Sequence, residues 1–433
     1  MSALPEAPNT QALAPIRRRI LLSAFACSPL WGSEPGVGWQ WLLQLARQHE
    51  VVLITHPYFR GGIEPALRSA GLRVEVHYVQ APAAGLHPHR QLGSRAYYTW
   101  WQWRVRTVAR RLLDQRRFDL IHHLTWGTLR FPCFLGGLGV PLVMGPLGGG
   151  ESAPLCLLQG LPLRCRIFDY FRALSLLWVR IDPLATWGPR QSALVLCRTK
   201  ESLRCLPKSV QERAVVVADI GSPQVDLSQR RSAAACDENR SSRPYRLLFA
   251  GRLLGWKGVA LAVGAVAHLV ASGREIELDI AGDGPLRGFL IKSISELGLS
   301  QRVRLLGNIP RDQLLELYAQ ADLFVFPSLH DAGGTVVLEA LSRGLPVVCL
   351  DLGGPPNFID GTCGAVVATR ARSRLEVELA VADAIARIIS EPGALARLSV
   401  GAVKRAQERS WENLVRGAYV VVHRQLGWLS VKA

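Results

Sequence analysis

The chain has 433 residues, 49% of them hydrophobic and 20% charged, a composition that suits two or three globular domains and excludes a disordered chain, a coiled coil or a collagen-like fibre. Lys+Arg 51 against Asp+Glu 34 give a formal net charge of +17. A balance of that size points to an anionic partner: nucleic acid, a phosphorylated substrate or an anionic lipid surface. Residues 1–200 carry 23 basic against 10 acidic side chains, so +13 of the +17 lies in the front half.

The nine cysteines are scattered and contain no Cys-x-x-Cys pair, which argues against a disulfide framework or a zinc site and for free thiols in a reducing cytosol. No run is long and apolar enough to span a bilayer. Arg17-Arg18-Arg19 before Ile20–Leu30 has the outline of a signal peptide, but the glycines that follow favour a buried first strand.

In chain order, residues 1–16 read as a loose tail and Ile20–Cys27 as a buried strand. Gly32–Gly38 reads as a turn-forming loop, Trp39–Gln48 as a helix and Val51–Thr55 as a second strand, which together make a βαβ unit. Strands at Val74–Val79, Leu120–Leu124, Leu142–Met144 and Ala193–Cys197 and a helix at Tyr97–Leu113 follow, with a polar helix start at Thr199. Residues 222–243 break the rhythm and read as linker and loop. The alternation restarts with strands at Arg246–Ala250, Glu277–Ala281, Val303–Leu306, Leu323–Pro327 and Pro346–Leu350. Between and after them, Val259–Ala271, Phe289–Leu297, Arg311–Ala319, Thr335–Ser342 and Val377–Ile389 have helical spacing. Two successive α/β sheets with a cleft between them are implied.

The chemistry concentrates at strand ends. In Phe249–Gly258 a strand runs into glycines and presents Arg252 and Lys257 where ligands sit in open α/β sheets, and two cations there suit a diphosphate. Ile280–Pro285 repeats the strand-to-glycine switch at Gly282. Phe326–Ala340 brings Asp331, Gly333, Gly334, a helix beginning near Thr335, and Glu339 one turn further on. A helix N-terminus beside two acids can hold phosphate and sugar hydroxyls together. Without those glycines, the plainer reading is solvated charges and an acid stabilising a helix dipole. The chain has neither an Asp-x-Asp triplet nor a P-loop.

These motifs, in this order, resemble the C-terminal domain of the family 4 (group 1) glycosyltransferases, which have the GT-B fold: Gly251-Arg252…Lys257-Gly258, Gly282-Asp-Gly-Pro285, Gly307 and Pro327-Ser328…Glu339-Ala340. More loosely, Ser33–Trp39, Asp119–His123 and Gly148–Glu151 resemble that family's N-terminal domain. The resemblance implies two Rossmann-like domains facing across a cleft. It assigns 17–221 to the acceptor domain, 244–408 to the nucleotide-sugar donor domain, and 409–433 to a helix crossing back. It implies a retaining, metal-independent hexosyltransferase with no cofactor, whose substrate is a nucleotide-diphosphate sugar. Arg252 and Lys257 would neutralise the leaving diphosphate, Glu339 would hold the ribose, and Asp331, where the family has glutamate, would face the sugar. Gly36, Gly38, Gly251, Gly282, Gly333, Gly334 and Thr335 would line the donor site. Of His122 and His123, adjacent on a strand, one would face the cleft; His123 is preferred.

Arg90–Arg117 interleaves eight arginines with Tyr97, Tyr98, Trp100, Trp101 and Trp103, and Leu163–Arg180 is a second basic, apolar stretch. Such mixtures suit an anionic membrane surface, single-stranded nucleic acid, or an ordinary surface helix. The expectation is a cytoplasmic enzyme of cell-surface glycan synthesis. It would sit peripherally at the inner face of a membrane and act on a lipid-linked or polysaccharide acceptor, with nucleic acid not expected as a partner. The rivals are a sugar-nucleotide epimerase of the same fold and a non-catalytic RNA-binding protein.

Overall fold

The computed structural model describes residues 17–81, 95–225 and 243–428. The expected tail at 1–16 and most of the expected linker at 222–243 lie outside these. Two units are distinguished: unit 1 is Met1–Gly150, Leu177–Asp219 and Trp411–Ala433, and unit 2 is Glu151–Leu176 and Ile220–Ser410. Residues 151–176, assigned by sequence to the front domain, thus group with unit 2.

The elements are β1 (Arg19–Ala24), α1 (Ser33–Gln48), β2 (Glu50–Thr55), α2 (Arg60–Ser69), β3 (Glu75–Tyr78), α3 (Arg95–Gln115), β4 (Leu120–Thr125) and β5 (Leu142–Leu147). Next come α4 (Leu163–Val179), α5 (Pro183–Gln191), β6 (Leu194–Cys197), α6 (Lys200–Arg204), α7 (Lys208–Gln211) and β7 (Ala214–Val216). Then follow β8 (Tyr245–Ala250), α8 (Val259–Ala271), β9 (Ile276–Ala281), α9 (Arg287–Glu296), β10 (Val303–Gly307), α10 (Arg311–Gln320) and β11 (Leu323–Phe326). The chain continues through α11 (Thr335–Ser342), β12 (Val347–Leu350), β13 (Gly364–Val367), α12 (Arg374–Ser390), α13 (Ala394–Glu408) and α14 (Trp411–Gln425).

Unit 1 holds a seven-stranded sheet in the order β3-β2-β1-β4-β5-β6-β7, and unit 2 a six-stranded sheet in the order β10-β9-β8-β11-β12-β13. Every pairing is parallel. The central strands are continuous apolar runs because helices cover both faces of a parallel sheet. Each sheet reverses its order once, between β1 and β4 in unit 1 and between β8 and β11 in unit 2. Those reversals are where the strand ends open a crevice for a ligand. This is the two-Rossmann-domain α/β class expected.

Helix α8 reads VALAVGAVAHLVA and is buried almost all round. A Cβ at Gly264 would lie 2.4 Å from the Glu378 carboxyl carbon, so glycine lets α12 approach α8. Helix α12 opens on a capping box: the Ser373 hydroxyl accepts from the Glu376 amide, and the Glu376 carboxylate accepts from the Ser373 amide.

Two expectations need correction. Gly32–Gly38 is not a loop; α1 begins at Ser33 and includes Gly36 and Gly38. The second concerns Arg90–Arg117, of which Arg90 lies outside the described residues. In α3, Tyr98 and Trp101 are fully buried, both meet Phe25, and the Trp101 indole donates to the Val79 carbonyl at 2.8 Å. Only Trp100 and Trp103 face solvent. Arg95 pairs with Asp182, Arg116 with Glu75, and Arg106 donates to the carbonyls of Phe134 and Gly136. Helical geometry sorts the aromatics: residues three apart share a face, so Tyr98 and Trp101 go to the core while Trp100 and Trp103 go outward. The eight described cysteines are all free.

Candidate active site

In unit 2, β8 ends at Ala250 and the chain turns through Gly251. Gly258 has φ +73°, and a Cβ there would lie 1.8 Å from the Pro327 carbonyl oxygen. Only glycine lets the β8–α8 loop lie against the end of β11. The Leu329 amide donates to the Trp256 carbonyl at 2.8 Å and closes the same contact. The Lys257 ammonium is thereby held beside the 327–334 loop, over the rings of Trp256 and Phe326 at 4.6 and 5.4 Å from their centroids.

Lys257 pairs directly with Asp331. The same carboxylate accepts from the amides of Gly333 and Gly334 at 3.2 and 3.3 Å. Gly334, at φ +76°, precedes α11 without a side-chain cap, so the first amides of α11 point out of the helix. Thr335 is exposed at that first position, and Arg252 is exposed on the β8–α8 loop.

Glu339 lies further along α11, largely buried. It pairs with Arg311 at 3.1 Å and accepts from the Tyr318 hydroxyl at 3.4 Å. Burial raises its pKa, against which Arg311 and Tyr318 act. The structure thus brings Lys257, Asp331, Gly333 and Gly334 into contact, with Gly251, Arg252 and Thr335 in the same loops. Gly282 braces them: its Cβ would lie 2.1 Å from the Gly251 carbonyl oxygen.

Three residues here escaped the sequence reading. Arg311, first in α10, is the partner of Glu339; a cation after Pro310 was its one signal. His330 and Asp169, both buried, pair at 3.0 Å, and the His330 ring stacks on Trp256 with centroids 4.4 Å apart. The signal for Asp169 was a lone acid in the otherwise basic and apolar stretch 163–180.

In unit 1 a cavity of about 550 Å³ opens at the carboxyl ends of β1 and β4, among Trp31, Tyr58, Phe59, Trp126, Glu34 and Arg198. Its charges are mutually engaged. Arg198 donates to Glu34 at 2.9 Å and lies 3.1 Å from Asp219, and Glu34 also accepts from the Gly127 amide at 2.8 Å. The rest of the lining is uncharged: the rings of Trp31, Tyr58, Phe59 and Trp126, with small residues and the glycines Gly127, Gly148 and Gly149 between them.

Gly36 and Gly38 stand beside this cavity, where the lining residues of their segment are Ser33, Glu34 and Pro35. A Cβ at Gly38 would lie 2.2 Å from the Ala26 carbonyl oxygen, so that glycine lets α1 pack just past the end of β1; one at Gly36 would lie 2.7 Å from the Trp31 carbonyl oxygen, so that glycine lets the loop before α1 fold back on its first turn.

The histidines also depart from expectation. His123 is buried, bonded to the Tyr98 hydroxyl at 3.0 Å and the Ser23 hydroxyl at 3.2 Å. His122, on the other face, is bonded to the Tyr419 hydroxyl at 2.9 Å and the Gly145 carbonyl at 2.8 Å. Burial pushes their pKa values down to about 3 and about 4. Both rings are core groups with both nitrogens engaged. The expectation that one faces a cleft fails because helices cover both faces of β4.

Two family models match: a glycosyl transferase 4-like domain over residues 32–182 and the glycosyl transferases group 1 over residues 234–405. The chain is similar to the alpha-D-kanosaminyltransferase of Streptomyces kanamyceticus, 31% identical over 51% of this chain and 58% of that one. It is also similar to the D-inositol 3-phosphate glycosyltransferase of Nocardia farcinica, 30% identical over 46% of each. The chain spans about half the length of the curated relatives it matches. Among solved structures, Anabaena HepE in complex with UDP shares the fold at 19% identity and TM-score 0.57, covering 95% of this chain and 100% of that chain. Sucrose-phosphate synthase from Thermosynechococcus elongatus does so at 19% identity and TM-score 0.60, covering 96% and 100%. With its two parallel α/β sheets, the chain belongs to the group 1, family 4 glycosyltransferases of the GT-B fold.

Proposed function

We propose that this protein transfers a sugar from a nucleotide-diphosphate donor, held by unit 2, to an acceptor hydroxyl held by unit 1, with retention of anomeric configuration. The observation that carries this is the Lys257, Asp331 and Gly333–Gly334 cluster at the sheet reversal of unit 2. Its ammonium and backbone amides already hold one anion, the Asp331 carboxylate, and a diphosphate is drawn to the same donors.

The bond from the anomeric carbon to the diphosphate oxygen breaks, and the electron pair leaves with the nucleoside diphosphate. Lys257, Arg252 and the Gly334-side amides stabilise that charge. The acceptor oxygen bonds the anomeric carbon from the same face and loses its proton to the departing phosphate. Asp331, relieved of Lys257, contacts the transferred sugar, and Glu339 holds the ribose hydroxyls. Donor specificity for a uridine nucleotide is consistent with relatives of this fold that bind UDP.

The acceptor binds in the aromatic cavity of unit 1, where tryptophan and tyrosine faces suit the C–H face of a sugar ring. We assign it to a lipid-linked or polysaccharide glycan of the cell surface, worked on at the inner face of an anionic membrane, as the basic front half supports. A free polyhydroxylated ring is the second reading, favoured by the name of the inositol-phosphate relative.

The test is a thermal-shift screen against nucleoside diphosphates and nucleotide sugars, followed by transfer assays with both acceptor classes. A bound nucleotide raises the melting temperature. No shift with any nucleotide overturns the donor assignment. Release of free or isomerised sugar without an acceptor returns the epimerase reading. Activity is expected to survive EDTA, since leaving-group charge is met by Arg252, Lys257 and amides; full loss restored by Mg²⁺ refutes metal independence.

A further inference from the structure

Helix α4 is built inside out. At the spacing that aligns side chains along one stripe of a helix, Leu163, Ile167, Tyr170, Phe171, Leu174 and Trp178 all face solvent. Leu163, Phe171 and Trp178 are 67%, 64% and 62% exposed. Surface helices normally turn such a stripe to the core, and contiguous exposed apolar faces mark interaction sites.

The opposite face is the one fixed to the protein. Asp169 pairs with the buried His330 of the β11–α11 loop. The Cys165 side chain lies against Gly255 of the β8–α8 loop, and the Arg164 guanidinium donates to the Pro285 carbonyl at 2.5 Å. The inner face therefore touches each of the three loops that shape the proposed donor site.

Resting on the membrane reading above, we propose that the outer face of α4 is the surface by which this protein docks on an anionic lipid bilayer. Charge selects that occupant. Arg166 is exposed on the helix; Arg172, and Arg180 just beyond the helix, donate only to the backbone carbonyls of Glu151 and Arg204, so among the described residues no carboxylate offsets these three charges, and the single acid of α4 points inward. A second copy would set arginine against arginine; anionic headgroups complement them, while Tyr170 and Trp178 suit the headgroup boundary. No helix of the described residues is long and apolar enough to cross a membrane, so α4 lies in the interface plane. Helix α3 is the weaker candidate, since Tyr98 and Trp101 are in its core-facing side and Arg95 and Arg116 are paired with the carboxylates of Asp182 and Glu75.

The experiment is co-sedimentation of the full chain with phosphatidylcholine vesicles and with vesicles that also contain phosphatidylglycerol, at low and high salt. Wild type is compared with Ile167→Ser/Phe171→Ser/Leu174→Ser and with Arg110→Gln/Arg111→Gln on α3. Circular dichroism and nucleotide-induced thermal shift confirm that each variant is folded and binds donor. Wild type is expected to pellet with anionic vesicles only, and the α4 variant to lose about tenfold or more in apparent affinity. The α3 variant is expected to lose less. Equal pelleting of wild type and the α4 variant overturns the α4 assignment while leaving the membrane reading in place. No pelleting of wild type at low salt overturns both. A wild-type dimer in sedimentation velocity that the α4 variant dissociates, without vesicle binding, makes the face a self-interface and overturns the proposal. Nucleotide binding is read separately, so failure of the donor assignment is distinguishable from each of these.

Discussion

The two sheet reversals have the same topology and opposite chemistry. At β8 and β11 the loops are glycine-rich, Arg252 stands exposed, and Lys257 shares one carboxylate with two backbone amides. At β1 and β4 the lining sets four aromatic rings among glycines and small residues, and its charged groups are closed among Glu34, Arg198 and Asp219. A parallel sheet that reverses its strand order provides a crevice; which ligand enters depends on the side chains the loops deliver. Unit 2 keeps cationic and amide donors near one exchangeable anion, which suits a diphosphate. Unit 1 has neutralised its charges internally and offers rings.

The comparison can be broken first by acid. His122 and His123 belong to unit 1, and burial holds them at about 4 and about 3 against an ordinary value near 6.5. The unfolded rings take up protons near 6.5 while the folded rings refuse them. The stability they contribute is therefore present above pH 6.5 and is lost as pH falls toward 4. The loss is on the order of 3 kcal/mol for each fully buried ring. Trp256 is the one tryptophan of unit 2, so tryptophan fluorescence reports unit 1. Melting followed that way is expected to shift down steeply between pH 6.5 and 4, and a flat profile would contradict the neutral, closed core of unit 1.

Next in size, Arg252→Ala and Lys257→Ala are each expected to raise the transfer barrier by roughly 2–4 kcal/mol, with acceptor KM little changed. Near-wild-type turnover in both variants would remove the leaving-group role from unit 2.

Asp331→Asn sharpens the same point. It releases Lys257 and the two amides from their internal anion, so nucleoside diphosphate binding is expected to tighten by about tenfold, or about 1.4 kcal/mol, by titration calorimetry. Transfer is expected to fall, because the sugar loses its carboxylate. Weaker diphosphate binding would mean that Asp331 supports the site instead of competing for it.

The smallest effect is expected in unit 1. Trp31 is partly exposed at the cavity mouth, where its edge meets Tyr58. Trp31→Ala is expected to raise acceptor KM by about fivefold, within the roughly 0.5–1.5 kcal/mol of an aromatic contact, and to leave nucleotide binding unchanged. A change in nucleotide affinity instead would place the donor, not the acceptor, at that cavity.

Much of unit 2 was readable from residues alone. The limits of α8 and α11 follow from apolar runs bounded by glycine; Lys257 and Asp331 fall in strand-end loops, and Glu339 one turn into the helix that follows, all positions that local pattern marks. Some elements were not marked by local pattern: in α2 Gly61, Gly62 and Pro65 interrupt the helical spacing, and β13 is a short, half-buried strand at the sheet edge. Gly36 and Gly38 were read as loop glycines because a sequence does not record that the preceding loop and the chain just past β1 lie against that helical turn. The two histidines failed for a related reason. Alternation along β4 says they face opposite sides, but not that helices cover both.

The sequence by itself determined the α/β class, the order of the strands along the chain and the glycine-and-cation loops of unit 2, because periodicity and backbone freedom are local properties. Only the tertiary structure decided which groups meet. It joined Glu339 to Arg311, Asp169 to His330, and Lys257 to Asp331, residues 28, 161 and 74 positions apart. It also decided which of two basic aromatic helices hides its rings. Both α3 and α4 carry arginines among tyrosine, tryptophan or phenylalanine, yet α3 buries Tyr98 and Trp101 while α4 turns Phe171 and Trp178 outward. A helix carries no mark of its inward side: that is set by the partners available to it, and for α4 those partners bond Asp169 and Arg164 and leave the rings to the outside.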